Sequence, residues 1–145
     1  MYDPVAIQPM RDEVTRLGVS EVRTPEAVNA AVKAEGTTLV FINSVCGCAA
    51  GGARPGLALA LRHKTLPDRV VTAFAGNDVE AVKEARSLFL GYAPSSPEFG
   101  MFKDGELVFM LERWQIEGRH PMEIAAQLAQ AFEEHCVKQE ESVNA

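Results

Sequence analysis

Two apolar runs of strand length dominate the hydropathy pattern of the chain. Thr37 to Asn43 (TTLVFIN) and Arg69 to Ala75 (RVVTAFA) are rich in β-branched and aromatic residues and lack polar alternation. That pattern predicts strands buried on both faces. Around them the apolar positions recur at helical spacing. Met10, Val14 and Leu17 mark a first helix that Gly18 stops. Val19 to Arg23 reads as a short edge strand. Thr24-Pro25 reads as the cap and first residue of a helix running to about Glu35, ended by Gly36. The segment after Cys46 predicts a helix to about Lys64. Asn77, with Glu80 three residues on, resembles a capping box opening a helix that ends near Leu90-Gly91. Glu98 to Lys103 and Glu106 to Leu111 are strand-like and meet at Asp104-Gly105, a hairpin signal. The last helix begins near His120-Pro121, with Ile124, Leu128, Phe132 and Cys136 on one face.

Helices alternating with strands imply crossover units and a parallel core, to which the hairpin adds an antiparallel part. The class is therefore α/β, with a central mixed sheet flanked by helices. The 145 residues and 47% apolar content suit one domain spanning 1–145, with a frayed tail from about 140. The net charge of −6 speaks against nucleic acid and membrane surfaces, which call for a basic face. Met1-Tyr2-Asp3-Pro4 opens without the basic and apolar runs of a secretory signal, and no stretch approaches about 18 apolar residues. The expectation is a cytoplasmic protein. In that reducing setting three cysteines argue for redox or metal chemistry rather than a disulfide framework.

Cys46-Gly47-Cys48 falls where a buried strand gives way to a helix. Free N–H groups and partial positive charge at a helix start stabilise a thiolate, the nucleophilic form of cysteine. Gly47 permits a tight bend and leaves little bulk over the sulfur. Cys46, at the exposed end, is the expected attacking residue and Cys48 the resolving one. A disulfide across one intervening residue closes a small ring with little freedom to relax, which raises its reduction potential above the roughly −270 mV of thioredoxin. The competing readings are an inert pair of core cysteines in a non-catalytic binding module and a Cys-x-Cys metal carrier. For the latter, Cys136, His63, His120 and His135 offer no ligand spacing, so no metal ligands are assigned. Asn43 and Ser44, on the strand side, can cap the helix, with Ser44 favoured. Pro55, preceded by Gly51-Gly52, predicts a kink in the helix after the motif. Trp114 and Cys136 are read as packing residues.

Ser96-Pro97 precedes the penultimate strand. Local sequence favours a trans bond, because only about 5–6% of X-Pro bonds are cis. The wider pattern reverses this. The order of elements resembles the thioredoxin fold with one extra N-terminal helix. A proline before a strand that runs into Phe102-Lys103-Asp104-Gly105 looks like the cis-proline strand of thioredoxins. Bacilliredoxins are a closer match. Their hallmark is similar to Asn43-Ser44-Val45-Cys46-Gly47-Cys48 followed by Ala53-Arg54-Pro55. Ser95-Ser96-Pro97, Phe102 to Val108, Tyr2-Asp3-Pro4 and Met10 to Glu13 also look like that family.

The resemblance implies removal of bacillithiol, a low-molecular-weight thiol, from mixed disulfides of client proteins, with Cys46 accepting the bacillithiol. Disulfide isomerase or reductase activity is the alternative. Bacillithiol enters as co-substrate, and no tightly bound cofactor is implied. Clients are bacillithiolated or disulfide-containing proteins; the sequence fixes no oligomeric state. A cis Pro97 would turn the Ser96 main chain toward the bound partner. Arg54 offers a guanidinium for thiolate charge or for a carboxylate of bacillithiol, or else is a solvated surface arginine.

Overall fold

The computed structural model describes residues 1–137; the tail expected to fray lies outside them. Helix α1 (Pro4–Thr15) opens with Asp3 accepting the Val5 N–H and Pro4 in the first turn, where no N–H is needed. After β1 (Ser20–Glu21), helix α2 (Pro25–Lys33) starts at the Thr24 cap, as the Thr-Pro pair predicts. Strand β2 (Thr37–Asn43) is buried at every residue. It is followed by β3 (Arg69–Phe74), α4 (Val79–Leu88), β4 (Glu98–Lys103) and β5 (Glu106–Leu111), with α3 (Arg54–Ala60) between β2 and β3. A four-residue helix, α5 (Arg113–Ile116), which the sequence reading did not anticipate, leads to α6 (Pro121–His135).

The five strands lie in the order β1-β3-β2-β4-β5. β3 runs parallel to both β1 and β2, whereas β4 is antiparallel to β2 and β5 to β4. Central β2 is thus paired on both edges, which explains its unbroken apolar run. Asp104 and Gly105 turn the hairpin with φ of 50° and 85°, the positive pair a type I′ turn demands.

Each sheet face carries its own core. Leu39, Phe41, Phe99 and Met101 pack beneath α3 and α6. Val40, Ile42, Val71 and Phe102 pack beneath α2 and α4. Phe41 and Phe99 stack at 4.5 Å across the β2–β4 pair, worth about 0.5–1.5 kcal/mol beyond their burial. Helix α3 approaches α6 so closely that a Cβ on Gly56 would lie 2.8 Å from Ile124 Cγ2. Cys136 is buried at the end of α6, beside Met101.

Four local expectations are corrected. The kink expected at Pro55 is replaced by a π-helical turn, Ala49–Ala53, in which the Arg54 N–H reaches back to the Ala49 carbonyl. Pro55 has no N–H for the Gly51 carbonyl, so the wider turn sacrifices no bond there. The regular helix ends at Ala60 rather than near Lys64. Asn77 does not cap α4: it exchanges hydrogen bonds with the Tyr2 backbone, and Asp78 holds the cap position without capping. Trp114 is 68% exposed, its indole N–H bonded to Glu112, so it is not a packing residue.

Candidate functional site

β2 carries the chain out of the core and delivers Asn43 and Ser44, both buried, at its C-terminal end. Three residues after Ser44 the backbone enters a helical turn at Gly47. The Cys46 carbonyl accepts from both the Ala49 and Ala50 N–H groups, at 3.0 and 3.2 Å. Cys46 and Cys48 are half-buried, Gly47 between them is exposed, and the two sulfurs are joined in a disulfide with Cα atoms 5.5 Å apart. This is the oxidised form. No Cβ contact within 4 Å constrains Gly47, so its lack of a side chain keeps the outer side of the pair open.

A buried polar network holds the motif from below. Ser44 Oγ accepts the Cys46 N–H at 3.2 Å, satisfying the first donor of the turn. Asn43 Oδ1 accepts the Ser44 N–H at 2.8 Å, and Asn43 Nδ2 donates to the Met10 carbonyl of α1. Arg54 Nη1 donates to Asn43 Oδ1 and to the Ser44 carbonyl, at 3.1 and 2.8 Å. Its Nε pairs with Glu13 of α1 at 3.1 Å. Arg54 is only 3% exposed. It is therefore neither a solvated surface arginine nor a guanidinium free to meet a substrate carboxylate. It clamps the backbone that carries Cys46, and α1 supplies its counter-charge.

Ser96-Pro97 is a cis peptide. Arg113 Nη1 donates to the Ser96 carbonyl at 3.2 Å, Arg86 Nη2 donates to the Ser95 carbonyl, and Ser95 Oγ donates to Glu98 Oε2 at 2.8 Å. The Ser96 main chain, expected to face a partner, is engaged by Arg113 in this form.

A cleft of about 400 Å³ opens over the disulfide. Cys46, Cys48 and the glycines of the π-helical turn form one wall, and Arg113, Glu117 and Arg119 form the other. Sequence reasoning missed the second wall. Arg113 and Glu117 are an i,i+4 ion pair, the one signal in the sequence that sets them on a common face. Nothing local links either to Cys46. The structure thus brings Cys46, Gly47 and Cys48 to the cleft, puts Asn43, Ser44 and Arg54 beneath it, and ties Ser96 to it through Arg113. Among the described residues no three His, Cys, Asp or Glu side chains gather as a metal set, and no helix is long and apolar enough to cross a membrane.

A five-stranded mixed sheet with a cysteine pair at the β2–helix junction and a cis-proline before β4 defines a thiol–disulfide oxidoreductase of thioredoxin-like fold. Solved thioredoxins share the architecture. Oxidised mitochondrial thioredoxin 3 from Saccharomyces cerevisiae superposes with a TM-score of 0.57 over 84% of this chain and 98% of that one, at 14% identity. A thioredoxin mutant from Entamoeba histolytica gives 0.54 over 78% and 98%, at 15% identity.

Within that class the chain belongs to the Disulphide isomerase family, whose model matches residues 2–136. It is 50% identical over 137 residues to a bacilliredoxin of Koribacter versatilis, covering 94% of each chain. It is 50% identical over 130 residues to one of Bacillus cereus (90% of each) and 46% identical over 138 to one of Staphylococcus saprophyticus (95% of each).

Proposed function

We propose that this protein removes bacillithiol from mixed disulfides of cytoplasmic proteins, acting as a bacilliredoxin. The observation that carries the reading is the Cys46–Cys48 pair under an open cleft, in a chain half-identical to bacilliredoxins along nearly its full length. The Cys46 thiolate attacks the bacillithiol sulfur of the mixed disulfide. A Cys46–bacillithiol disulfide forms, and the client sulfur leaves as thiolate and takes a proton from solvent. Cys48 then attacks Cys46, forming the internal disulfide and expelling bacillithiol as thiolate. The assignment of Cys46 as the attacking residue is supported by its place at the start of the turn, where its N–H is held by Ser44 and its carbonyl by two helical N–H groups. Cys48 follows it within the turn.

The test is to incubate the reduced protein with a bacillithiolated client and find the adduct by mass spectrometry. In Cys48→Ala the adduct is expected to be trapped on Cys46, and Cys46→Ala is expected to be inert. Adduct on Cys48 in the Cys46→Ala variant reverses the roles, and no adduct in any form removes the reading. Disulfide isomerisation is the second reading, favoured by the family's description. It predicts that the reduced protein reactivates a client with scrambled disulfides faster than free dithiol does.

A further inference from the structure

The protein carries a net charge of −6, yet the wall facing its cysteine pair presents two guanidinium groups. Arg113 and Arg119 line the cleft with side chains 44% and 47% exposed. Arg113 is held at two points, by Glu117 through Nε and by the Ser96 carbonyl through Nη1. Two of its five N–H donors are thereby engaged, which fixes the fork in place without exhausting it. Arg119 has a single loose ion pair, 3.9 Å from Glu123. In the disulfide form the opposite wall brings no charge, since Gly47, Gly51 and Gly52 have no side chains and Cys46 and Cys48 are joined; on reduction only the attacking Cys46 thiolate adds one. Of the cleft's charged groups only Glu117 is negative, and Arg113 neutralises it.

We propose that Arg113 and Arg119 form an anion subsite that selects small thiols bearing carboxylates, holding the thiol moiety of a mixed disulfide over Cys46. The inference rests on the reading that the chain strips small thiols from proteins. Guanidinium groups meet carboxylates with paired, charge-assisted bonds, and a cleft of about 400 Å³ suits a small molecule rather than a folded surface. A carboxylate bound here orients its own sulfur toward Cys46 and leaves the client sulfur outside the cleft as the leaving group. Selection therefore decides which of the two sulfurs is attacked. Arg54, the arginine nearest the motif in sequence, is buried and cannot take this part.

The test uses one single-cysteine carrier peptide joined by a disulfide to mercaptosuccinate, a dicarboxylate, or to mercaptoethanol, which is neutral. Release of the carrier thiol by reduced protein is followed in single turnover, and each rate is divided by the rate with dithiothreitol to remove intrinsic reactivity. The normalised dicarboxylate-to-neutral ratio is expected to be about tenfold for the unaltered protein, about 1.4 kcal/mol. It should fall toward one in Arg113→Gln/Arg119→Gln, remain partly intact in the Arg→Lys pair, and shrink at high salt, where exposed charges are screened. Glu117→Gln, by freeing Arg113, should raise it severalfold, a gain that a merely structural role for these residues would not produce. A ratio near one in the unaltered protein, or a ratio unchanged in the double variant, overturns the subsite while reduction of the neutral adduct leaves the oxidoreductase reading standing. Failure to reduce either adduct removes both.

Discussion

Asp78 and Glu98 are both buried carboxylates, at 8% and 1% exposure, and the fold treats them in opposite ways. Asp78, at the cap position of α4, receives both Nη groups of Arg11, at 2.9 and 2.8 Å, and the Phe74 N–H at 2.9 Å. Burial pushes its pKa up, but these hydrogen bonds and the Arg11 charge win, and Asp78 sits below the usual carboxylate range. Glu98, next to the cis proline, has a single hydroxyl bond from Ser95. Its Oε1 and the nearby Arg86 Nε are buried without a hydrogen-bond partner among the described residues. Burial dominates there and raises the Glu98 pKa despite Ser95 and the Arg86 charge. The difference teaches that depth alone does not set the sign of a carboxylate's pH effect. The number of donors aimed at it does.

The largest expected effect tests the Asp78 side. Asp78→Ala strips the buried Arg11 of both its short hydrogen bonds, leaving only the 3.8 Å contact to Glu21, and should cost about 3 kcal/mol, read as a lower urea midpoint. Replacing both partners, Arg11→Met with Asp78→Leu, should recover most of that loss, because a well-packed apolar pair often matches a buried ion pair.

A second prediction concerns acid. The depressed Asp78 pKa supplies stability that is complete above the ordinary Asp value of about 3.9 and is lost as pH falls through its folded value. In the Arg11→Met/Asp78→Leu protein the urea midpoint should therefore drop less steeply below pH 4 than in the parent. Glu98 has the opposite sign. Its raised pKa favours folding below the ordinary Glu value of about 4.3, and that contribution disappears as pH rises through the folded value. Glu98→Gln should thus stabilise the protein at pH 7 by about 1 kcal/mol and do little at pH 4. The smallest effect is Arg86→Met, which removes the charge opposing the Glu98 shift. It should cost less than about 1 kcal/mol at pH 7, and less again when Glu98 is already Gln, as a double-mutant cycle would measure.

Much of the fold is legible in local sequence. The TTLVFIN run, the Thr24-Pro25 cap and the Asp104-Gly105 turn each carry their own instruction, and the strands and helix they predict form with nearly the same bounds. What escaped depends on distance. Arg54 reads in sequence as a partner for thiolate or carboxylate or as a surface arginine, until α1 folds over it and brings Glu13, a contact between residues 41 positions apart. Asn77 reads as the cap of α4, but its side chain goes to Tyr2, and Asp78, which takes the cap position instead, is held by Arg11. Helix α5 has four residues, too few for any periodicity, so the wall it builds across from Cys46 is invisible to pattern. The π-helical turn is half legible: Gly51, Gly52 and Pro55 announce an irregularity but not its form.

Cys136 carries a practical consequence. Its thiol is buried against Met101, and burial pushes its pKa up despite a hydrogen bond involving Thr37. A thiol-specific dye added to the reduced native protein should therefore count two fast sulfhydryls, with the third reporting only when the molecule opens. The chain contains its own stopwatch for unfolding, separate in time from the chemistry at Cys46 and Cys48.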